Sequence, residues 1–296
     1  MPSNKSSGSG PKVLFFVPAL FVLAGLVLQN VSAKAKPQSA VTLAYQFAEG
    51  KSLTYQMTST QNQNLDVMGQ AVSSQSNSLI EFILQPKGLK EGQFQLGVTI
   101  NAFKVEAQSP QGDITADASS VVGKSFDMIL SRLGKEIDTS AAASIKYTVG
   151  SVGTRDLSSS FQALFPDLPE KSIKIGDSWP SEDTVIQKTD AGETRINFKN
   201  VNAPEGIETV DGFECLRIKG TVKGTMTGNL EQQGMALVID GKIEGTQTWY
   251  FAVKEGILVK TETKATIAGN ITAGEPANMT IPMTGDMRSE IHLIKK

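Results

Sequence analysis

Beyond about Val41 the chain alternates apolar and polar residues with a period of two. Val41, Leu43, Tyr45 and Phe47 share one side of an extended segment, and Thr42, Ala44 and Gln46 share the other. Leu53–Gln63, Ser78–Leu84 and Gln93–Val105 repeat the alternation, with Lys87-Gly88 and Glu91-Gly92 as turns between them. The rhythm returns at Glu193–Lys199, where Ile196 and Phe198 point inward. Leu216, Ile218, Val222 and Met226 then line one side of a long strand, and Arg217, Lys219, Thr221 and Lys223 line the other. Asp211-Gly212 and Asp240-Gly241 predict hairpin turns. Lys254-Glu255-Gly256 joins Thr246–Val253 to Ile257–Ile267, placing Trp249, Phe251 and Val253 on one face. Gly285–Ile294 is expected to close the sheet as an edge strand.

Two segments depart from this period. In Ser119–Gly134, Val122, Phe126, Ile129, Leu130 and Leu133 recur at helical spacing, with Gly134 where a helix C-cap belongs. In Leu157–Phe165, Phe161, Leu164 and Phe165 cluster before Pro166 stops the pattern. Strands over 41–118, a helical block over 119–166 and strands over 173–296 predict an α+β domain spanning 36–296. Its architecture is a large curved antiparallel sheet, a half-barrel, whose concave face is covered by two short helices. Phe47-Ala48-Glu49-Gly50-Lys51-Ser52-Leu53 and Ile173-Lys174-Ile175-Gly176-Asp177-Ser178-Trp179 share one order of residue types, and each opens a run of strands. This echo suggests two sheet modules.

The first 35 residues add a location. Lys5 and Lys12 precede an apolar run from Val13 to Leu28, followed by small residues around Ala33 and Ala35, the pattern of a secretory signal peptide. The run falls short of the ~20 residues that span a bilayer and contains Pro18. If uncleaved, residues 13–28 would instead be a signal anchor and the only membrane contact. Either way the domain is expected outside the cytoplasm, periplasmic or secreted. No cysteine stands at the end of the run to carry a lipid anchor, and Cys215 is the chain's only one, so the fold rests on packing and strand pairing without an intramolecular disulfide.

An export signal, strands opened by FAEGKSLTYQM, a helix pair, LFPDLPEKSIKIGDSW and then the GTQTWYFAVKEGILVKTET hairpin, in that order, resemble uncharacterised bacterial secreted proteins and lipoproteins. These are similar to the periplasmic lipoprotein-carrier superfamily. That resemblance implies an antiparallel half-barrel covered by helices, with a concave hydrophobic space able to hold acyl chains. It brings no catalytic residues.

Charge and chemistry narrow the rest. With 28 Lys plus Arg against 30 Asp plus Glu, the net charge is −2, which gives no electrostatic argument for nucleic acid. One His and one Cys cannot build a zinc cluster, and neither a calcium loop nor a phosphate-binding glycine loop is present, so no cofactor is expected. His292 would have to serve any Ser-His-Asp or Cys-His arrangement, and its place in the last strand argues for a solvated side chain. Cys215 falls by parity on the polar face with Arg217. Asp167, Glu170 and Asp177 beside Trp179 are the only paired-carboxylate option for glycoside cleavage, but Pro166, Pro169 and Gly176 around them read as turn chemistry. The expected function is therefore a non-enzymatic binding protein for a lipid or other hydrophobic ligand. Its space would be lined by Phe126, Ile129, Leu130, Leu133, Phe161, Leu164 and Phe165, with Trp179 and Trp249 in support. The alternative makes the same residues a closed core in an envelope scaffold that binds a protein partner.

Overall fold

The computed structural model describes residues 40–110, 112–150, 153–232 and 234–295. The predicted signal or anchor over 1–35 lies outside the described residues. Strands β1 (Leu53–Val67), β2 (Gln70–Lys90), β3 (Gln93–Ser109), β4 (Gly112–Thr115), β5 (Ser125–Leu130) and β6 (Glu136–Asp138) form one half of a single antiparallel sheet. The other half holds β7 (Lys146–Thr148), β8 (Thr154–Asp156), β9 (Trp179–Thr189), β10 (Gly192–Val210), β11 (Phe213–Gln232), β12 (Met235–Ala252), β13 (Ile257–Ala273) and β14 (Met279–Lys295). The order is β6-β5-β3-β2-β1-β14-β13-β12-β11-β10-β9-β8-β7, with β4 on β3. Pairing of β1 with β14 makes one sheet of the two modules suggested by the sequence. The sheet curls into a half-barrel until its outer parts meet. Ala116 bridges Val149, and Lys135, in the turn between β5 and β6, reaches Asp183 of β9.

Glycines on the concave face of β11 help the sheet curl. Gly220, Gly224 and Gly228 alternate there with Val222, Met226 and Leu230, and each lies opposite a larger β10 side chain: Asn202, Phe198 and Thr194. The Phe198 ring covers Gly224 so closely that a Cβ there would meet it at 3.1 Å. An inward glycine roofed by a neighbouring side chain lets a twisted sheet bend without opening a hole.

Two apolar cores fill the concavity. One gathers Tyr45, Tyr55, Phe82, Phe161, Phe165, Trp249 and Phe251 beneath the crossing segments. The other lies towards the opposite end of the long hairpins and is built from Ile196, Phe198, Met226, Ile239, Ile267 and Met283. Between them a polar row runs across seven neighbouring strands in direct register: Asn202, Gly220, Gln247, Thr263, Ser289, Ser59 and Ser78.

Several expectations are corrected. Among the described residues there is no α-helix, only single 3-10 turns at Ser140–Ser144 and Ser158–Phe161. Within Ser119–Gly134, Phe126, Met128 and Leu130 point inward at period two while Val122 is exposed, because pairing of β5 to Val98, Leu96 and Phe94 of β3 overrides the helical spacing. Gly134 ends no helix. It takes φ +97 in the tight turn where Ser131 N–H donates to Lys135 O (2.8 Å). After Phe161 the chain turns at Gln162-Ala163, where Ala163 takes φ 56, and continues without regular structure as a strap to Leu168. Asp240-Gly241 is no turn but mid-strand in β12, opposite Thr227 and Met226. Lys87-Gly88 is a bulge inside β2, whereas Glu91-Gly92 and Asp211-Gly212 are true hairpin turns with positive φ. Val41–Phe47 keeps its predicted inward face but crosses the core with a single bridge to Ile173. β14 is interior, not an edge, and Cys215 is buried rather than on the polar face.

The seven-residue echo has a structural counterpart. In both copies the fifth residue's N–H donates to the second residue's carbonyl, Lys51 to Ala48 (3.1 Å) and Asp177 to Lys174 (3.0 Å). Gly50 and Gly176 supply the positive φ such a turn requires at its third position, and the next large apolar residue, Leu53 or Trp179, starts a long strand.

Candidate functional site

The strap over 162–168 is pinned by hydrogen bonds at five of its seven residues. Gln162 Oε1 accepts Ile186 N–H (2.7 Å), Phe165 N–H donates to Glu136 Oε1 (2.8 Å), and the Tyr45 hydroxyl donates to Pro166 O (3.1 Å). The Trp179 indole donates to Asp167 O (3.0 Å), and Leu168 N–H donates to Leu133 O (2.7 Å). Pro166 removes one donor and restricts the backbone there. Phe165 drops inward from this strap and meets Tyr45, Phe47 and Tyr55 edge-on at 5.5–6.0 Å.

The residues predicted to line a ligand space divide. Phe126 and Phe161 pack on each other (4.9 Å), Phe161 also meets Phe82, and Leu130 and Leu164 are buried in the same core. Trp179 and Trp249 meet at right angles, 5.9 Å apart. Leu133 packs on the edge of this core, and Ile129 is half-buried on the other face of β5. Of the nine, Phe165 borders a small enclosed cavity, while Leu133 and Trp179 line a wider groove beside it.

That cavity, of about 50 Å³, lies where the strap crosses the sheet between the two cores. Room for a water takes ~10–15 Å³ on this measure. Ala163, Phe165, Pro166 and Asp167 of the strap form its roof, and its floor comes from β9 to β14: Ser181, Asp183, Phe198, Asn200, Asn202, Val222, Ile243, Gln247, Thr263, Ala265 and Met287. It shares Asp167 and Ser181 with a groove of about 740 Å³ on one side. It shares Ala163, Asp183 and Phe198 with a groove of about 900 Å³ on the other. Asp167 Oδ1, Asn200 Oδ1 and Thr263 Oγ1 are buried without a hydrogen-bond partner in the protein, and all three residues face this cavity. A buried polar atom left unpaired costs about 1–3 kcal/mol, so three around one small space call for a partner there.

Charge concentrates at the same place. The Lys135 ammonium pairs with Asp183, donates to Glu182 O (2.6 Å) and lies 3.4 Å from Asp167 Oδ2. Burial, with repulsion from Asp183, pushes Asp167 up to about 6 against the opposing pull of Lys135. Glu136 goes further, to about 8, driven first by burial and then by Asp183 and Asp167. Of the three carboxylates in FPDLPEKSIKIGDSWP, only Asp167 enters this cluster. Glu170 is exposed, and Asp177 Oδ2 accepts Lys174 N–H (2.9 Å) to close its own turn. Sequence reasoning grouped Asp167 with turn residues and missed Lys135, Glu136 and Asp183. No local pattern links these residues, and only the curl of the sheet brings them together.

The other candidate groups are accounted for locally. His292 Nε2 lies 2.7 Å from Asp211 Oδ2, tying β14 to the β10–β11 turn. Burial pushes the Cys215 thiol up to about 11. Among the described residues no group of His, Cys, Asp and Glu is arranged to hold a metal ion, and no helix is long and apolar enough to cross a membrane.

No family model matches the chain, and no curated protein matches it. Among solved structures, the crystal structure of Pseudomonas aeruginosa OccD3 (OpdP) aligns over 88% of this chain and 96% of its own at 6% identity, with a TM-score of 0.19. So low a score carries no argument about fold or function.

Proposed function

We propose that this chain is an exported, non-enzymatic binding protein whose ligand enters between the strap and the concave face of the half-barrel. The observation that carries the reading is the cavity beneath Phe165, Pro166 and Asp167, where apolar walls from Phe198, Val222 and Ile243 meet three unpaired polar atoms. Recognition sites combine an apolar lining with a few convergent polar groups in this way. The ligand expected from this space is smaller and more amphipathic than an acyl chain lying among Phe126, Phe161 and Leu164, because those side chains pack against one another. The N-terminal basic, apolar and small-residue pattern supports export. Native mass spectrometry of protein recovered from the cell envelope tests the reading. A small molecule retained at one per chain is expected, and protein that neither carries one nor takes one up from a lipid and metabolite extract overturns it.

A second reading, an envelope scaffold with a closed core and a protein partner, draws support from the close aromatic packing around Phe161 and Phe165. A stoichiometric protein partner without a small molecule in the same spectra would favour it.

A further inference from the structure

The cavity under the strap is short of positive charge. Asp167 and Asp183 both border it, and the single Lys135 ammonium serves both. Lys135 reaches Asp167 through Oδ2, which leaves Oδ1 buried and unpaired on the cavity side. Asn200 Oδ1 can only accept a hydrogen bond, and Thr263 Oγ1 can accept one; both are also without a partner. Thr263 is only 4% exposed, so bulk water does not satisfy it. The three atoms come from different elements, the strap, β10 and β13, and share one space. A third carboxyl group, Glu136, stands beside the strap and accepts Phe165 N–H rather than pairing with a cation. Beside these acceptors, Phe198, Val222 and Ile243 give the same space an apolar wall.

We propose that this site binds a primary ammonium group carried on a short apolar chain. The –NH3+ group donates to Asp167 Oδ1, Asn200 Oδ1 and Thr263 Oγ1, while its alkyl portion lies against Phe198, Val222 and Ile243. An ammonium has three donors and no acceptor, so it matches three acceptors, and it supplies the second cation that Asp167 and Asp183 lack. A carboxylate ligand would add a like charge beside Asp167, and an alcohol has one donor for three acceptors. The inference rests on the binding-protein reading above and specifies its ligand class.

The test titrates the folded chain at pH 7.5 with three four-carbon probes, n-butylammonium chloride, n-butanol and sodium butyrate, by calorimetry and by amide NMR shifts. Butylammonium is expected to bind at one per chain and at least tenfold more tightly than either other probe. Asp167→Asn should weaken it at least tenfold, and Thr263→Val should weaken it severalfold while leaving butanol unaffected. Thr263→Val keeps side-chain volume and serves if Asp167→Asn melts early. If butanol or butyrate binds under the strap as well as or better than butylammonium, the ammonium assignment falls and the binding-protein reading stands. If butylammonium binds equally well to both variants, its site is elsewhere and the assignment also falls. If none of the three binds, the assignment falls, and envelope-purified protein without a retained molecule takes the parent reading with it.

Discussion

Replacing Glu136 by Gln should stabilise the protein, and more so as the pH rises. Glu136 is pushed from an ordinary 4.5 to about 8 by burial and by its acidic neighbours Asp183 and Asp167. A carboxyl group whose folded pKa is raised binds its proton more tightly in the native state. Its contribution to stability is therefore full below pH 4.5 and is lost as the pH climbs through about 8. At about 1.4 kcal/mol per pH unit this window has an upper value near ~5 kcal/mol, and about half of that survives the solvent left around a half-buried group. Gln cannot ionise, yet its Oε1 still accepts Phe165 N–H, so the strap keeps its anchor. Urea unfolding of wild type and Glu136→Gln at pH 5 and pH 9 reads the effect directly. The two proteins should be close at pH 5, with the variant ahead by ~2–3 kcal/mol at pH 9, or about 4–10 °C in Tm for a chain of this size. An equal offset at both pH values, or a variant less stable at pH 9, would refute the claim that Glu136 titrates inside the closed strap–sheet junction.

Three further outcomes follow from the packing. Phe165→Ala removes the ring that Tyr45, Phe47 and Tyr55 surround, and should cost about 3–5 kcal/mol in urea unfolding; a loss under ~1 kcal/mol would mean the strap is not docked. Gly134→Ala places a Cβ 2.6 Å from Pro166 O at φ +97, so its melting temperature should fall, whereas Gly92→Ala, with a similar φ and open space around it, should fall less. The buried Cys215 thiol should react with a disulfide reagent only on unfolding; modification of the native protein at the rate of a free thiol would contradict its burial.

Much of the sheet was legible in the sequence because alternation fixes which side chains face inward. Leu216, Ile218, Val222 and Met226 are inward as their parity requires. The helices failed for a physical reason: Phe126 and Leu130 satisfy a four-residue spacing and a two-residue one equally, and the choice belongs to β3, the strand β5 pairs with. Asp240-Gly241 has turn chemistry, but β11 and β12 stay paired through it, and the chain reverses nearer Gly234. The site was harder. Asp167, Asp183, Asn200 and Thr263 meet only because the sheet curls and the strap crosses it, and curl is written in distributed features such as the glycines of β11 rather than in any motif. Within FPDLPEKSIKIGDSWP, Lys174 to Asp177 forms the turn that restarts the sheet at Trp179, in keeping with its turn composition, while Asp167 lines the cavity under the strap.

The central claim is that ligand enters between strap and sheet. Backbone amide NMR mapping with whichever of the three four-carbon probes binds measures this most directly. Saturating shifts are predicted at Ala163 to Asp167 except Pro166, at Ser181 to Asp183, at Phe198 to Asn202 and at Thr263 to Ala265. Shifts confined to the convex face, with the strap and these inward positions unmoved at saturation, would contradict it.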